Sequence, residues 1–462
     1  MHGSTMILPM QSSAGNEATP VIKLVAIAKN EALYIPAWVH HHFRIGIDYI
    51  EIHINDTDDN SIEICKRIKE VDDRFDFIES DVLLEKAIKE GTSFQKNVYN
   101  QSLEQIKSKD QHISHLLKLD IDEYLTPRNL NGDIKSLITN FPSVDVLSFL
   151  WYSDDFNEKS HEISLPFKDE TIIYRMNHVK SMAKISRDLS SCTVHNFKFR
   201  PSHDPSSQLA DLSNTSHQCF NQGMLDRNFL ESLDPSHPEH WFILHCMYRS
   251  EPEYLTSLYR GNKQNNDSNL LKKNRWGRKP CPVFPSKPII FSPPATQLAQ
   301  YKTSYLAFIK NTNLQAEVEK AQRHLMEKVD ILDQLIRDNP TLLNTYYQCF
   351  RGTRYDPTND APTAVQRRMA LDTSFNRNNS VEQFDTERFF NARPDMLQIY
   401  KAGGAVDGLA FTSEMNDFYG TTKSSLKEFS LAEFGFWHTQ FFQDKYLKKG
   451  QGGKHWMRDS AN

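Results

Sequence analysis

The sequence predicts an α/β protein with a mostly parallel sheet covered by helices on both faces. Between residue 21 and about residue 150, short apolar runs alternate with longer segments of helical periodicity. Strands separated by helices of this length pair in parallel, and such sheets are covered on both faces. One apolar run ends in LLKLDIDEYL (116–125), which brings Asp120, Asp122 and Glu123 to the end of a buried strand. Ligands bind at the carboxyl ends of such strands, so this edge is the expected site.

The predicted elements follow one another in a regular order. Strands are expected at 21–28, 47–54, 74–80, 112–120 and 144–151, with helices between them at 31–46, 61–71, 93–108 and 133–140. Beyond these, strands are expected at 171–176, 190–198 and 241–247, and a helix at 251–260. The polar stretch 201–218 predicts a long loop, and the Pro-rich segment 280–294 predicts a boundary or a surface strap.

A chain of 462 residues is too long for one compact core, so several segments are expected. The predicted segments are a flexible leader at 1–20, a catalytic domain at 21–290, an amphipathic helical segment at 291–350, and an extension of unknown role at 351–462 with a disordered tail. Apolar residues recur at spacings of three or four through 296–337. This periodicity predicts an amphipathic helix that packs on the catalytic domain or on a second copy of the chain.

Composition excludes several classes of protein. The net charge of −5 argues against nucleic-acid binding, which usually requires a basic excess. No apolar run reaches the roughly 18 residues that a membrane span needs. The N-terminus has no positively charged region before its short apolar stretch, so a signal peptide is not predicted. The six cysteines contain no C-x-x-C pair, which predicts free thiols and a cytoplasmic location.

The acidic strand end has two interpretations. Side chains at positions i and i+2 of an extended segment point the same way, so Asp120 and Asp122 are expected to converge on one cation. Carboxylates suit Mg²⁺ or Mn²⁺, and such sites leave positions for water and substrate phosphate. The alternative is helix capping. It explains the carboxylates poorly, because the next predicted helix begins near 133, after Pro127.

Further motifs accompany this strand end in a fixed order. The first strand leads into Lys29-Asn30-Glu31, and the second into the loop NDTDDNS (55–61). The chain thereby resembles the family-2-like glycosyltransferases of the GT-A fold, in the branch whose first strand ends in K-N-E. Other residues that match this branch's patterns are Trp38, His42, Gly46, Asp48, Gln95, Tyr99, Lys180, Ser181, Met182 and His195.

A later motif extends the resemblance to residues 21–262, a little over half the chain. HCMYRSEPEYLTSLYRGN (245–262) resembles H-Y-x-x-K-S-x-E-E-F-x-x-K-x-x-R-G through His245, Ser250, Glu253, Tyr254, Arg260 and Gly261, with Tyr248 shifted from the family's Tyr. In the loop after the second strand, which resembles D-N-D-S-T-D-G-T, the chain departs from the family. Ile54 replaces the first Asp and Asn60 replaces the Gly.

The resemblance implies a nucleotide-sugar donor held at this edge of the sheet. The expected contacts to base and ribose are Lys29, Asn30, Glu31 and Asp56, with Asp120 near the ribose or the metal. For Glu31 the alternative is a first-turn acid that complements the helix dipole. The implied metal ligands for Mn²⁺ or Mg²⁺ are Asp120, Asp122 and His245.

Cationic side chains are the expected partners of the donor diphosphate. Lys180 and Arg260 are the candidates, since Lys and Arg recognise phosphate well, and the alternative is an ordinary surface charge. His195 is expected either to assist this site or to be a satisfied structural histidine. His42, the last residue of a run of three histidines, is expected to be packed in its helix.

Inverting sugar transfer also requires a base that deprotonates the acceptor hydroxyl. Asp154 and Asp155, in WYSDDFNE (151–158), follow the fifth predicted strand and are the candidates, with a solvated turn as the alternative.

The expected function is therefore a metal-dependent, inverting glycosyltransferase acting on a glycan or another hydroxyl acceptor, with UDP-sugars as the first donors to test. Two alternatives remain. One is a haloacid-dehalogenase-like phosphatase, although several strand–helix units precede D-x-D here and Tyr124 stands where that motif prefers Thr. The other is a degenerate fold that binds glycans without turnover.

Overall fold

The structure is a computed structural model. It describes residues 19–154, 165–210, 223–225, 227–233, 236, 238–259, 271–272, 275, 277, 288–340, 342–343 and 346–356. Two of the candidate site residues, Asp155 and Arg260, lie outside the described residues. The same holds for nearly all of the predicted leader and for most of the extension 351–462.

Strands and helices alternate through the first half of the chain, as predicted. The strands are β1 (Ile22–Ala28), β2 (Tyr49–Ile54), β3 (Phe75–Glu79), β4 (His115–Lys118), β5 (Glu123–Pro127), β6 (Val146–Asp154), β7 (Thr171–Lys184), β8 (Leu189–Cys192), β9 (Phe197–Phe199), β10 (Ser207–Leu209), β11 (Trp241–His245) and β12 (Pro288–Phe291). The helices are α1 (Ile35–Arg44), α2 (Ser61–Val71), α3 (Asp81–Glu90), α4 (Phe94–Ser108), α5 (Ile134–Thr139), α6 (Arg227–Ser232), α7 (Glu251–Tyr259), α8 (Ala295–Asn311), α9 (Gln315–Asp338) and α10 (Tyr347–Phe350).

The main sheet is mixed, so the predicted α/β class is confirmed and the mostly parallel arrangement is only partly correct. Within the described residues the sheet has ten strands, with the order β3-β2-β1-β4-β7-β6-β11-β5 and with β10 beside β6 and β12 beside β7. Strands β1 to β4 pair in parallel, and β6 is parallel to β10 and β11. Strand β7 runs antiparallel to both β4 and β6.

Several elements differ from the prediction. Helix α3 and strands β5, β10 and β12 were not predicted, and the strand expected at 190–198 is the antiparallel hairpin β8–β9. Three of these strands are short, and all three pair with strands distant in sequence. Their short sequences have no periodicity that would reveal such pairing. The Pro-rich strap therefore contains β12, an edge strand on β7.

The single helix predicted over 296–337 is two helices. Helix α8 ends at Asn311 and α9 begins at Gln315, while Asn313 between them has a φ of 52°. A left-handed residue cannot continue a right-handed helix, so the chain turns here. The Phe308 carbonyl near the end of α8 accepts hydrogen bonds from both the N–H of Thr312, at 3.0 Å, and its hydroxyl, at 2.7 Å.

The core forms where α4 covers the centre of the sheet. Val98, Leu103 and Ile106 of α4 pack with Val25 of β1 and Leu116 of β4, and all five are fully buried. Burying side chains of this size stabilises the fold by about 1.5–3 kcal/mol each. This layer fixes the ends of β1 and β4 relative to each other.

The chain comprises two compact units. The first contains Met1–Tyr254, Asn262–Ser268 and Ser286–Lys328, and the second contains Leu255–Gly261, Asn269–Pro285 and Val329–Asn462. In the second unit the Cys349 thiol lies 3.1 Å from the Lys272 carbonyl, and Arg354 pairs with Asp333 at 2.9 Å. Across the described part of the chain, no helix combines the length and the apolar character that crossing a bilayer requires.

Candidate functional site

The carboxyl ends of β1, β2, β4, β6 and β11 meet at one edge of the sheet. This follows from the parallel pairs and from the two reversals at β7, which return β6 to the direction of β4. Ligands of open α/β sheets bind outside such ends. The predicted site residues that lie within the described ranges are distributed along this edge.

Hydrogen bonds from polar side chains connect the loop after β1 with the loop after β2. The Asn30 amide oxygen accepts hydrogen bonds from the Thr57 hydroxyl at 2.9 Å and from the Asp58 N–H at 2.8 Å. One carboxylate oxygen of Asp59 accepts from the Ala32 N–H at 2.9 Å, and the other accepts from the N–H and the hydroxyl of Ser61. The two loops therefore form one rigid wall whose shape depends on polar side chains.

An ion pair lies within this wall. Lys29 Nζ is 2.5 Å from Asp56 Oδ2, and both side chains are largely buried. Asn30 and Asp56 have φ angles of 54° and 47°, the left-handed region that non-glycine residues rarely adopt. Strained backbone in two adjacent loops is typical of functional sites, and here it fixes the direction of Lys29 and Asp56.

Glu31 lies outside the helix that follows. Helix α1 begins at Ile35 with Tyr34 as its N-cap, and its first turn contains no acidic residue, so the helix-dipole interpretation of Glu31 is wrong. Instead the Glu31 carboxylate lies 3.9 Å from Arg249 Nη1. The Glu31 N–H donates a hydrogen bond of 3.2 Å to the Ser61 hydroxyl, which joins it to the same wall.

The acidic strand end forms a tight turn held from both sides. The Trp38 indole N–H donates to the carbonyl oxygens of Asp120 at 3.1 Å and of Glu123 at 2.8 Å. The Glu123 carboxylate in turn accepts the Asp120 N–H at 2.8 Å. Strand β5 begins at Glu123, so the turn lies between two strands, and the capping interpretation of these carboxylates does not hold.

Lys180 bridges two of the three carboxylates. Its ammonium lies 3.2 Å from Asp120 Oδ2 and 3.1 Å from Glu123 Oε2. Burial alone lowers the pKa of Lys180, but the adjacent carboxylates outweigh it and raise the pKa, so the side chain is charged. Burial raises the pKa of Glu123, and the adjacent Lys180 ammonium opposes that shift. Lys180 has no exposed surface, so it could contact a donor diphosphate only after rearrangement.

Asp120 and Asp122 have different surroundings. Asp120 accepts hydrogen bonds on both carboxylate oxygens, from Gln95 Nε2 at 2.9 Å and from Lys180. The Asp122 carboxylate lies 3.4 Å from His245 Nε2. The β5–β11 ladder creates this second contact, because it pairs His245 with Glu123, and the Cys246 N–H donates to the Asp122 carbonyl at 2.8 Å.

The residues at this edge include two candidate ligands for the expected divalent cation, Asp122 and His245. Across the described ranges no group of three or more His, Cys, Asp or Glu side chains is arranged around a common point. Mg²⁺ usually takes only one or two protein carboxylates, because substrate phosphates and water complete its shell. Asp122 and His245 would hold such an ion, and Asp120 would support it from the Lys180 side. The metal at this edge therefore stays a prediction.

His195 belongs to a group of rings around Trp151. The ring centroids of neighbouring side chains lie close to that of Trp151. The centroid distances from Trp151 are 4.5 Å to His245, 5.0 Å to His178 and 5.2 Å to His195. His195 Nδ1 lies 3.2 Å from the Val179 carbonyl, and burial lowers the pKa of His195 to about 4. The ring is therefore neutral and hydrogen-bonded, which agrees with the structural interpretation of His195.

The candidate base Asp154 is tied to the chain after β11. Its carboxylate oxygens accept the N–H groups of Tyr248 at 3.1 Å and of Arg249 at 2.8 Å. Burial raises the pKa of Asp154 to about 6, although both hydrogen bonds oppose that shift. A carboxyl group with this pKa can accept a proton near neutral pH. The solvated-turn interpretation of Asp154 is wrong, because the residue is buried at the end of β6.

A cleft of about 530 Å³ lies beside this carboxylate. Its wall includes Asp154, Cys246 and Arg249, and the Arg249 guanidinium lies 3.3 Å from the centre of the Tyr34 ring. The sequence pattern did not identify Arg249 as a site residue. The signal that could have found it is the family's basic position immediately before Ser250.

Helix α9 contacts the loop after β2. The Asn60 amide donates to the Glu317 carbonyl at 3.0 Å and to the Glu317 carboxylate at 2.9 Å. The Asp58 carboxylate forms an ion pair with Lys328 and lies 3.6 Å from His324. The amphipathic pattern predicts that this helix packs on the catalytic domain or on a second copy, and here Glu317, His324 and Lys328 contact the loop after β2.

No protein-family model matches this chain, and a search of curated proteins found no similar sequence.

Proposed function

We propose that this chain is a metal-dependent glycosyltransferase of the GT-A type, which moves a sugar from a nucleotide-diphosphate donor to a hydroxyl acceptor. The observation that carries the proposal is the Asp122–His245 pair at the same sheet edge as the braced Lys29–Asp56 wall. A metal position next to a polar wall is the arrangement that a nucleotide diphosphate requires. The strand order and the residue motifs support the same interpretation.

Each described residue has a defined part in this proposal. Lys29, Asn30, Glu31 and Asp56 bind the base and ribose, and Asp122 and His245 hold the Mn²⁺ or Mg²⁺ ion. The bound ion supplies charge neutralisation for the leaving nucleotide diphosphate. Gln95 and Lys180 fix the Asp120 carboxylate in its position beside the ribose and the metal.

Asp154 is proposed as the acceptor-side base. Its pKa of about 6 leaves it deprotonated at neutral pH, so it can take a proton from an acceptor hydroxyl. Its two hydrogen bonds to backbone N–H groups hold the carboxylate in one orientation. A fixed orientation reduces the entropy lost on reaching the transition state.

The first experiment measures release of nucleoside diphosphate from a panel of sugar nucleotides, with Mn²⁺, Mg²⁺ or EDTA. We expect release that requires metal and falls at least about a hundredfold in Asp122→Asn, since the carboxylate charge supports metal affinity. Asp73→Asn is the matched control, because Asp73 is exposed and distant in sequence from the site.

Three results would contradict the proposal. Activity that survives both EDTA and Asp122→Asn excludes a metal-dependent transferase. Hydrolysis of simple phosphomonoesters without sugar transfer indicates a phosphatase. Donor binding by calorimetry, with no turnover on any acceptor in a glycan array, indicates a binding module.

A further inference from the structure

The cleft beside Asp154 lies next to the proposed metal position. Its floor includes Cys246, which directly follows the candidate ligand His245, and the Cys246 N–H is bonded to the Asp122 carbonyl. Asp154 lies in the same wall. A molecule in this cleft would therefore contact the candidate base Asp154, and it would be separated from the proposed metal ligands by Cys246. On the proposed function, this is where an acceptor must bind.

The charged side chains of the cleft wall nearly balance. Carboxylates from Asp154, Glu170 and Glu253 share the wall with the cations of Lys168 and Arg249. A wall with both signs favours a neutral ligand that can donate and accept hydrogen bonds, because an ionised ligand would meet like charge on one side. A saccharide has many hydroxyl groups of this kind.

Apolar surface occupies the rim of the same cleft. Ile172 of β7 and Ile290 of β12 are direct cross-strand partners, and both line the cleft. Ile172 is 43% exposed and Ile290 is 64% exposed, although most large apolar side chains among the described residues are buried. An exposed apolar pair at the mouth of a polar cleft is typical of a binding surface.

We infer that this cleft binds the acceptor as a neutral saccharide bearing an apolar substituent, with the sugar beside Asp154 and the substituent across Ile172 and Ile290. The inference rests on the proposed function in one respect, the identification of the ligand as the acceptor. Binding of the saccharide in the cleft requires neither donor nor metal. The volume of about 530 Å³ lies within the range of small-ligand sites, about 300–1,000 Å³. The apolar rim then selects saccharides according to the apolar substituent that they carry.

The test compares hexyl and methyl glycosides of glucose, galactose, mannose and N-acetylglucosamine, by saturation-transfer NMR and calorimetry on the full chain. We expect at least one hexyl glycoside to bind about tenfold or more tightly than its methyl counterpart, since each buried methylene contributes about 0.8 kcal/mol. Ile290→Ser should remove most of this difference and leave methyl glycoside binding unchanged. Leu306→Ser, at another exposed aliphatic side chain that lies outside the cleft, should change neither.

A second variant locates the sugar. Gln322→Leu removes a polar group from the cleft wall and should weaken the hexyl and methyl glycosides by the same factor. Equal affinity for the two glycosides, no effect of Ile290→Ser, or no binding across the panel would overturn the inference.

The outcome separates this inference from the proposed function. Nucleoside diphosphate release without glycoside binding would leave the transferase standing and overturn the cleft assignment. Rim-dependent glycoside binding without any donor turnover would support the cleft assignment and overturn the transferase.

Discussion

Lys180 Nζ lies 3.1 Å from Glu123 Oε2, and neither side chain has any exposed surface. The same ammonium reaches the Asp120 carboxylate, so one buried cation balances the acidic strand end. Removing one partner of a buried ion pair leaves an uncompensated charge, which costs about 3–5 kcal/mol. We expect Lys180→Met to lower the free energy of unfolding by about that amount, as measured by urea denaturation.

The control for this prediction is Lys198→Met, at an exposed lysine in strand β9. Its free energy of unfolding should stay within about 0.5 kcal/mol of the parent value. If Lys180→Met were equally mild, the ammonium would not be the charge that balances Asp120 and Glu123.

The burial of a neutral His42 should make the folded protein less stable in acid. Its Nε2 accepts the Leu125 N–H, so Nδ1 carries the proton donated to the Trp38 carbonyl, and the ring is neutral. Burial lowers the pKa of His42 from 6.5 to about 3, opposed by the bond to Trp38. The unfolded chain therefore binds one more proton than the folded chain between these values. This contribution to stability is complete above pH 6.5 and is lost as pH falls toward 3.

The measurement is the free energy of unfolding as a function of pH. One such group contributes a slope of about 1.4 kcal/mol per pH unit below its unfolded pKa. His42→Gln should be destabilised at pH 7 and should show a slope that is shallower by that amount. His112→Gln, at an exposed histidine, should keep the parent slope, and a parent-like slope in His42→Gln would contradict the assignment.

Two glycines of left-handed conformation should differ in their tolerance of alanine. Gly46 has a φ of 98°, and a Cβ there would lie 2.5 Å from Asp133 Oδ1, which caps helix α5. Gly91 has a φ of 65°, and a Cβ there would meet no atom within 4 Å. Gly91→Ala should cost about 1 kcal/mol from backbone strain alone. Gly46→Ala should cost at least about 1 kcal/mol more, because it also displaces the cap.

Thermal unfolding followed by circular dichroism compares the two glycine variants directly. The larger decrease in Tm is expected for Gly46→Ala. Equal decreases would mean that the Asp133 carboxylate moves aside without cost.

Helix α9 should influence donor affinity through Asp58. Lys328 pairs with Asp58, whose N–H is bonded to Asn30 of the proposed donor wall. Since the Asp58 side chain is partly exposed, the pair contributes at most about 1 kcal/mol, which corresponds to a Kd change of up to about fivefold. We expect Lys328→Met to weaken binding of UDP by up to this factor in calorimetry.

Lys320→Met is the matched control on the same helix, because Lys320 is exposed. A Kd that responds equally in both variants would indicate a general charge effect rather than positioning of the loop. An unchanged Kd in Lys328→Met, with UDP bound, would show that the wall keeps its shape without α9.

Apart from α3 and β5, the sequence by itself determined the alternation of strands and helices through β6, because apolar periodicity over long segments is a local property. It also predicted that Asp120 and Asp122 end a strand, and that His42 is packed in its helix. Helix α1 ends two residues before the Gly46 that predicted its end, within the usual uncertainty of helix boundaries.

Only the tertiary structure decided which residues meet at the sheet edge. The reversal of β7, the β5–β11 pairing that brings His245 to Asp122, and the burial of Lys180 between two carboxylates all join residues distant in sequence. A strand of three to five residues has too short a hydrophobic pattern to specify its partner strand. The partner is selected by which apolar surfaces of the sheet the strand can bury. The acidic strand end could therefore be recognised in the sequence. That Asp120 and Glu123 contact the buried Lys180, whereas Asp122 contacts His245, depended on the fold.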